Sequence, residues 1–282
     1  MLSERNKSAI HITFPVQVRK ETKLSIKAKE EISKIVVADA LQNFSRPTVV
    51  WSAGKDSTVV LHMVQQVSNS INLRMPPALF IDHGDHYKET FQMLDSIGHN
   101  WNLNVIIARN DDVLRNVKDG VVKIKDLSEE NQMEAKRIGF NEESFEYSLE
   151  SEVGNHLLKT VALNSAILKY RFDALFTGVR WDENPARSSE VFISQRERPQ
   201  HFRVQPILPF LEKDIWNYML ANKLPIHPKY KEGYRSIDGI RDSKKNSDKP
   251  AWEQDMEHTS EREGRSQDKE GMMERLRQLG YM

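Results

Sequence analysis

Residues 48–60 have the sequence TVVWSAGKDSTVV, in which a β-branched apolar run is followed by a short polar loop and then by a helical pattern. Val59, Val60, Met63 and Val67 recur at the spacing of one helix face. The junction predicts a buried strand, a tight loop and a helix, whose first amides and dipole favour a bound anion. An ordinary capped turn between a strand and a helix is the alternative.

The loop residues have the chemistry that a phosphate site needs. Gly54 permits a sharp turn and a close backbone approach to a ligand, and Lys55 adds a mobile cation. Asp56 and Ser57 are residue types that cap helices. The Walker P-loop is excluded, because that motif needs Ser or Thr directly after its lysine and a glycine further upstream. We therefore expect a phosphate-binding loop formed by Ser52, Ala53, Gly54, Lys55, Asp56 and Ser57.

Composition limits the possible partners of the chain. Its 282 residues suit one large α/β domain with extensions, and 41 basic residues balance 41 acidic ones. A net charge of zero provides no overall attraction for nucleic acid, so no nucleic-acid partner is expected. No run approaches the roughly 18 apolar residues of a membrane span, and the N-terminus lacks the apolar region of a signal peptide. We expect a cytoplasmic protein without membrane contact.

The chain contains no cysteine. Disulfides, thiolate zinc sites, iron–sulfur clusters and cysteine nucleophiles are therefore excluded. His83 and His86 have no third ligand at a diagnostic spacing, so we expect no structural metal.

Strand candidates alternate with helical patterns along the chain, at residues 49–52, 78–81, 105–108, 172–177 and 203–207. This alternation predicts an α/β fold with a doubly wound, mostly parallel sheet. We divide the chain into an N-terminal extension and helix (1–45, with a possible strand at 10–18), a nucleotide-binding domain (46–230) and a polar tail (231–282) that ends in a short helix near 270–279. Residues 109–155 are charged and show no clear strand, which favours a helical insertion able to close over a site.

Two further segments carry candidate functional groups. Asp82 ends a strand, where a carboxylate can accept hydrogen bonds from a ribose or an adenine amino group, or position a cation; capping of the next helix is the alternative. Residues 178–187 read GVRWDENPAR, and their arginines suit phosphate or sulfate oxyanions. The acidic pair between them can orient the arginines or bind Mg²⁺, and a purely structural loop is the alternative. The residues concerned are Gly178, Arg180, Asp182, Glu183 and Arg187.

Several motifs together resemble one enzyme superfamily. Residues 52–57 resemble the Ser-x-Gly-x-Asp-Ser loop of the N-type ATP pyrophosphatases, the PP-loop enzymes, which cradles the pyrophosphate end of ATP. FIDHG at 80–84, FDALFTGVRWDE at 172–183 with Arg187, and PIHPKY at 225–230 resemble the branch that contains phosphoadenylyl-sulfate (PAPS) reductase and the small, catalytic subunit of bacterial-type ATP sulfurylase. The resemblance runs from about residue 30 to the end and implies an adenine nucleotide alpha hydrolase-like fold.

The tail separates these relatives. The reductase carries an essential cysteine in its C-terminal segment, and this chain has none. HTSEREGR at 258–265 instead resembles the Thr-Ser-Glu-Arg-x-Gly-Arg tail of the sulfurylase subunit, which makes Arg262 and Arg265 candidate phosphate or partner contacts. Composition alone would make this tail a solvated charged end. GYRSID at 233–238 resembles the reductase side, so the acceptor of the reaction stays open.

The resemblance implies an ATP-dependent adenylyltransferase that converts sulfate and ATP, bound as a complex with Mg²⁺, into adenylyl sulfate and pyrophosphate. Catalysis is expected from Lys55, Asp56, Arg180 and Arg187. The other nucleotide-binding residues are expected to be Ser52, Ala53, Gly54, Ser57, Asp82, Gly178, Asp182, Glu183, Arg262 and Arg265.

By resemblance a GTPase partner subunit would drive the reaction, and the chain could also form a homo-oligomer. One alternative is a reductase-family protein that binds the adenylyl nucleotide without the catalytic cysteine, and another is a non-catalytic nucleotide-binding protein. A tRNA-modifying PP-loop enzyme is disfavoured by the balanced charge and the missing cysteines.

Overall fold

A computed structural model of the chain describes residues 24–183, 185–259 and 261. The strand expected at 10–18, the helix expected near 270–279, and both Arg262 and Arg265 lie outside the described residues. In chain order the elements are α1 (Ile26–Asn43), β1 (Pro47–Val50), α2 (Lys55–Ser70), β2 (Ala78–Asp82), α3 (Lys88–Asn100), β3 (Val105–Arg109), α4 (Asp111–Arg115), β4 (Val117–Lys118), β5 (Val121–Lys123), α5 (Glu129–Arg137), β6 (Ser144–Glu146), α6 (Glu152–Asn155), α7 (Ala162–Tyr170), β7 (Ala174–Phe176), β8 (Ile193–Glu197), β9 (Gln200–Val204), α8 (Glu212–Ala221) and α9 (Pro228–Lys231).

Six strands form a central sheet in the order β3-β2-β1-β7-β9-β8. All neighbours are parallel except β8 and β9, which form an antiparallel hairpin at one edge. Val49 of β1 lies opposite Ala78 on one side and Phe176 on the other, so the carboxyl ends of these strands meet at one edge. The predicted doubly wound, mostly parallel α/β fold is confirmed, although β8 was not foreseen.

Apolar side chains bury both faces of this sheet. Phe80 and Phe176 belong to a core shared with α1, α2, α3 and α8. Leu79 and Leu175, one residue away on the same strands, pack instead against Ile167 and its neighbours in α7. Because successive strand residues point to opposite faces, these short apolar strands are covered on both sides, as parallel sheets require.

The segment 109–155 contains a second sheet as well as helices. Strands β4, β5 and β6 pair antiparallel and enclose an apolar cluster of their own, which includes Val113, Val122 and Phe145. The expectation of an insertion without strands is therefore wrong. These strands have two or three residues each, too few to produce a readable alternation. The segment continues through α6 and a π-helical turn, His156–Val161, into α7.

Residues 231–259 have little regular structure but pack on the main core. Tyr234 and Lys245 form an isolated antiparallel bridge, and Ala251 is fully buried. The ring of Trp252 lies 5.5 Å from that of Trp216 in α8. This packing brings the segment up to residue 259 across the carboxyl edge of the sheet. Among the described residues, no helix combines the length and apolar character that crossing a membrane requires.

Candidate functional site

The loop between β1 and α2 turns at Ala53. This residue has a φ of 59°, in the left-handed region, whereas Gly54 has extended values of −75° and 161° for φ and ψ. The expectation that Gly54 makes the sharp turn is wrong. Gly54 instead leaves space, since a Cβ there would lie 3.2 Å from the Ser52 hydroxyl oxygen. An alanine at positive φ costs energy and persists where the surrounding structure fixes the backbone.

The start of α2 presents unused amides. Gly54 is the N-cap residue and no side chain caps the helix, so the expected capping by Asp56 or Ser57 is wrong. The Ser57 hydroxyl donates to the Gly54 carbonyl at 3.1 Å, and the Lys55 amide donates to the Tyr230 hydroxyl at 3.0 Å. Within the described part of the chain, the amides of Asp56 and Ser57 have no acceptor. The positive end of the helix dipole therefore offers two donors to an anion.

Two cations meet one carboxylate beside this loop. Glu261 accepts hydrogen bonds from Lys55 Nζ and from Arg180 Nη2, the latter at 2.7 Å, and both cationic side chains are only 1 % exposed. Arg180 also pairs with Asp56 through Nη1 and with Asp182 Oδ1 through Nε, at 2.8 Å. Three carboxylates thus enclose the guanidinium. Glu261 occupies the position from which an external anion would contact both cations.

Charge pairing opposes the effect of burial at each of these groups. Burial alone would lower the pKa of Lys55, but Asp56 and Glu261 raise it above its ordinary value. Burial would raise the pKa of Glu261, yet Lys55 and Arg180 hold it below its ordinary range. All three groups are therefore charged at neutral pH. A phosphate can join two cations already matched by three carboxylates only if a carboxylate leaves, because surplus buried charge is costly.

Arg235 holds the segment that carries Glu261. Its side chain is 2 % exposed, pairs with Glu212 through Nη2 and Oε2 at 2.5 Å, and donates from Nη1 to the Thr259 hydroxyl at 2.5 Å. The Glu212 amide in turn donates to Asp182 Oδ2 at 2.8 Å. Since Arg180 and Glu212 engage both oxygens of Asp182, this carboxylate orients Arg180. A cavity of about 580 Å³ is lined by Arg180, Arg235 and Glu261 together.

At Gly178 the backbone just after β7 packs closely against the loop between β1 and α2. A Cβ at this position would lie 2.9 Å from the carbonyl carbon of Asp56 and 2.9 Å from the nitrogen of Ser57. The close backbone approach anticipated from the sequence is thus an approach to the loop of the same chain. It fixes the first turn of α2 relative to the segment that carries Arg180.

Asp82 lies at the carboxyl end of β2 with both oxygens engaged. Oδ1 accepts from the Gly84 amide at 2.9 Å, and Oδ2 accepts from Arg109 Nη1 at 3.2 Å. The N-cap of α3 is Tyr87, so the alternative of Asp82 as its cap is wrong. Contact of Asp82 with a nucleotide stays a prediction.

A cavity of about 120 Å³ opens next to Asp82, where β1 and β2 end. It is lined by Trp51, Ser52, Ile81, His83, His86, Thr90, Lys159, Ile237 and Asp238, together with Val50. Lys159 closes one side through a 2.5 Å contact of Nζ with Asp238 Oδ1. Apolar and aromatic walls with a few polar groups suit a planar ring, and the cavity shares Ser52 with the loop.

The other residues predicted for the site are less closely associated with Lys55 and Arg180. Arg187 Nη1 lies 3.8 Å from Glu190 Oε1, in a different group of charges from that of Arg180. Glu183 lines the 580 Å³ cavity and helps to raise the pKa of Arg180, which burial alone would lower. Arg262 and Arg265 lie outside the described residues, so their role stays a prediction.

Three residues that complete the site were missed from the sequence: Tyr230, Arg235 and Glu261. Each lies inside a motif that was recognised, at 225–230, 233–238 and 258–265. Their contacts with Lys55 span 175 to 206 residues of chain, so no local pattern reports them. The sequence did contain one usable signal, Glu261 in HTSEREGR, which lies next to an arginine that was considered as a phosphate or partner contact.

Comparison with known proteins assigns the chain to a family. The family model for the phosphoadenosine phosphosulfate reductase domain matches residues 46–245, well over half of the chain. The chain belongs to the PAPS reductase family. This match spans the loop, the 120 Å³ cavity and Arg235, and leaves Glu261, with its part of the 580 Å³ cavity lining, beyond its boundary.

Two curated relatives of this PAPS reductase family member share one name. Sulfate adenylyltransferase subunit 2 of Brucella anthropi is 27 % identical over 225 residues, covering 72 % of this chain and 65 % of the relative. The protein of the same name from Chelativorans sp. is 28 % identical over 211 residues, covering 67 % and 61 %. The chain thus spans somewhat less than two thirds of the length of these relatives.

Solved structures confirm the fold. PAPS reductase from Candida auris, crystallised as a phosphate complex, superposes with a TM-score of 0.55 at 17 % identity, covering 83 % of this chain and 99 % of that one. FMN adenylyltransferase from Candida glabrata, in complex with FMN and an ATP analogue, gives a TM-score of 0.57 at 16 % identity, covering 93 % and 79 %. The chain therefore has the fold shared by these two enzymes.

Proposed function

We propose that this protein is an ATP-dependent adenylyltransferase of sulfate activation, which forms adenylyl sulfate and pyrophosphate from ATP and sulfate. The observation that carries the proposal is the cationic pair Lys55 and Arg180 beside the open amides of α2, bridged by the Glu261 carboxylate. A site that binds an internal carboxylate in this way has the charge and donors for phosphate oxygens. The name shared by the curated relatives supports sulfate as the acceptor.

The loop would bind the pyrophosphate end of ATP. The amides of Asp56 and Ser57 point along the helix axis, and Lys55 would exchange Glu261 for phosphate oxygens as the Glu261 carboxylate withdraws. Arg180, held by Asp182, would contact the phosphate on which negative charge develops. Fixed donors of this kind stabilise charge on the departing pyrophosphate without rearrangement during the reaction.

The nucleoside would lie in the cavity between β1 and β2. Ile81 and Trp51 provide apolar walls, His86 adds an aromatic edge, and Ser52 connects the cavity to the loop. Burial lowers the pKa of His86, so this ring is neutral at pH 7 and acts as a surface for the base. With the base there and the pyrophosphate at α2, the reacting phosphate would lie between them, held in position from both sides.

Magnesium would enter as part of the ATP substrate. No group of three or more carboxylate or imidazole side chains suited to a metal occurs among residues 24–183, 185–259 and 261. Asp182, which the sequence suggested as a magnesium ligand, has both oxygens engaged. The residues present therefore suit a metal held chiefly by phosphate oxygens and water, with the protein contacting the complex through Lys55 and Arg180.

The proposal is tested by release of pyrophosphate from ATP and its dependence on sulfate. Because the curated relatives are named as a second subunit, the assay includes a GTPase partner with GTP as well as the chain alone. We expect release that requires sulfate and is lost in Lys55→Gln. Lys34→Gln on the outer side of α1 is the matched control, since its charge is removed at an exposed position. Sulfate-independent release, or no release even with the partner, contradicts the proposal.

A second candidate is a nucleotide-binding protein without turnover. It is favoured by the closed state of the site, in which carboxylates satisfy both Lys55 and Arg180. A reductase activity by this chain alone would need a thiol, and the sequence has none. Tight binding of ATP or adenylyl sulfate without turnover, with sulfate and partner present, would establish this second candidate.

A further inference from the structure

A second group of cations lies on the β8–β9 hairpin and its preceding loop. Arg203 is in β9, Arg196 is in β8, and Arg187 lies six residues before β8 begins. Arg203 is paired across the hairpin with Ser194, and Arg196 with His201. Directly paired residues of neighbouring strands share a face, so the two strand arginines project to the same side of the sheet.

That side is the one opposite α1. Phe202, next to Arg203, points the other way and packs against Phe44 at the end of α1, with ring centroids 5.0 Å apart. Leu175, the partner of Arg203 on β7, belongs to the apolar cluster under α7. The two strand arginines therefore lie on the α7 side of the two outermost strands, with Arg203 one residue before the carboxyl end of β9 and Arg196 opposite His201, near its amino end.

The carboxylates in this group do not match the cations. Glu190, 6 % exposed, lies 3.8 Å from Arg187 Nη1 and 3.4 Å from Arg196 Nη2, so two arginines share it. Gln205 donates to the same Oε2 at 2.8 Å. For Arg203, no carboxylate among the described residues lies within ion-pair distance. Within the described part of the chain, Arg203 therefore has two cationic neighbours and no carboxylate partner of its own.

His201 orients Arg203 without adding charge. Its Nε2 accepts from Arg203 Nε at 3.0 Å, while Nδ1 lies 2.6 Å from the Pro199 carbonyl oxygen and so carries the proton. Burial and the neighbouring Arg203 lower the pKa of His201 to about 4, which keeps it neutral. Burial, Arg196 and Arg187 lower the pKa of Arg203 to about 10. The terminal nitrogens of Arg203 have no acceptor among the described residues, and an anion there would relieve this unfavourable charge.

We propose that Arg187, Arg196 and Arg203 form a binding subsite for a compact tetrahedral oxyanion, separate from the carboxylate-filled pair at Lys55 and Arg180. Arg187 and Arg196 share Glu190 and both act electrostatically on Arg203, so the three guanidinium groups are neighbours, and each offers two parallel donors to such an ion. The Trp181 indole Nε1 donates to the Glu190 carbonyl at 2.9 Å, which fastens the subsite beside the Arg180 segment. That the bound ion is the sulfate acceptor rests on the proposed function; that the subsite binds an oxyanion does not.

The binding test uses the full chain, without nucleotide or partner. Sodium sulfate, and in a second series inorganic phosphate, is titrated calorimetrically against sodium chloride at the same ionic strength. We expect saturable binding of sulfate that weakens at least tenfold in Arg203→Gln and in Arg187→Gln. Arg115→Gln, which removes an exposed guanidinium bonded to the Asp111 carbonyl, should stay within twofold of the unmodified protein.

A reciprocal variant guards against simple loss of folding. Glu190→Gln keeps the shape of the side chain but removes the shared carboxylate, so sulfate should bind several-fold more tightly. Arg187→Gln acts at a side chain that is 17 % exposed and is the milder of the two arginine variants. No sulfate binding by the unmodified protein overturns the proposal, and so does binding that Arg187→Gln and Arg203→Gln leave unchanged. Tighter binding of phosphate than of sulfate supports the subsite but contradicts sulfate as its selected ion.

Turnover separates this inference from the proposed function. Sulfate binding that depends on these arginines, without sulfate-dependent pyrophosphate release, keeps the subsite and refutes the adenylyltransferase. Sulfate-dependent release with an unchanged KM for sulfate in Arg203→Gln keeps the enzyme and refutes the assignment of the subsite's ion as the acceptor, whereas the subsite itself stands or falls with the calorimetric titration. If both hold, Arg203→Gln should raise that KM at least tenfold while the KM for ATP stays within twofold.

Discussion

Replacing Glu261 by glutamine should make the protein bind pyrophosphate more tightly. The Glu261 carboxylate, 9 % exposed, accepts hydrogen bonds from Lys55 and Arg180, the two cations expected to contact phosphate. An external phosphate must displace it, so the carboxylate acts as an internal competitor. Glutamine keeps the shape and one carbonyl acceptor but loses the negative charge.

The size of the effect follows from the two contacts. A hydrogen bond to a charged group contributes about 1.5–3 kcal/mol, and glutamine retains a weaker version of one. A loss of about 2 kcal/mol from the closed state lowers the Kd for pyrophosphate by up to roughly 30-fold, since each 1.4 kcal/mol is a factor of ten. The ligand-free protein should melt earlier, by about 2–4 °C for each kcal/mol lost from its overall stability.

The assay is calorimetric titration with pyrophosphate and with ATP, followed by thermal melts with and without ligand. Glu257→Gln is the matched control, because it lies four residues upstream in the same segment and pairs at the surface with Lys213. We expect the control to stay within twofold of the unmodified protein. An unchanged or weaker Kd for pyrophosphate in Glu261→Gln would show that Glu261 supports the anion site instead of competing for it.

Three further predictions concern the loop and its supports. Lys55→Gln should weaken ATP binding at least tenfold, as loss of a charge-assisted hydrogen bond of about 1.5–3 kcal/mol requires; a thermal shift with ATP equal to that of the unmodified protein contradicts it. Gly178→Ala should cost about 1–3 kcal/mol in denaturant unfolding because its Cβ meets the loop backbone at 2.9 Å; Gly98→Ala in α3 should cost less, because its Cβ meets only a Val105 methyl, at 3.3 Å, and alanine favours the helix. Burial lowers the pKa of His227 to about 4. The neutral ring therefore makes its full contribution to the free energy of unfolding above pH 6.5, and this contribution falls by about 1.4 kcal/mol per pH unit as the pH drops from 6.5 to 4. Unfolding of His227→Gln should show a flatter pH dependence, and an equal slope refutes this.

The fold was predictable where the sequence pattern was long enough to read. β1, β2 and β3 are apolar runs separated by helices of 16 and 13 residues, and these signals led directly to a parallel sheet. The β8–β9 hairpin was only half seen, because β8 reads ISQRE and has one apolar residue. Its position at the edge of the sheet, with one face partly open, permits polar residues that a covered strand excludes.

The candidate site could be read from the sequence only in part. Lys55 and Arg180 were identified from their motifs, and the structure places both at one carboxylate. The same reasoning grouped Arg187 with Arg180, although seven residues of loop carry it to other partners. It also assigned the sharp turn to Gly54, since statistics favour glycine at positive φ and only the packed structure shows that Ala53 takes it.

The π-helical turn at His156–Val161 sets the direction in which Lys159 points. A π turn accommodates one more residue than an α-helical turn, so its removal would rotate everything on one side by about 100° relative to the other. Deleting a single residue there would leave α7 seated on the sheet while swinging Lys159 away from Asp238. The one extra residue in this turn thus places Lys159 where it forms one wall of the 120 Å³ cavity.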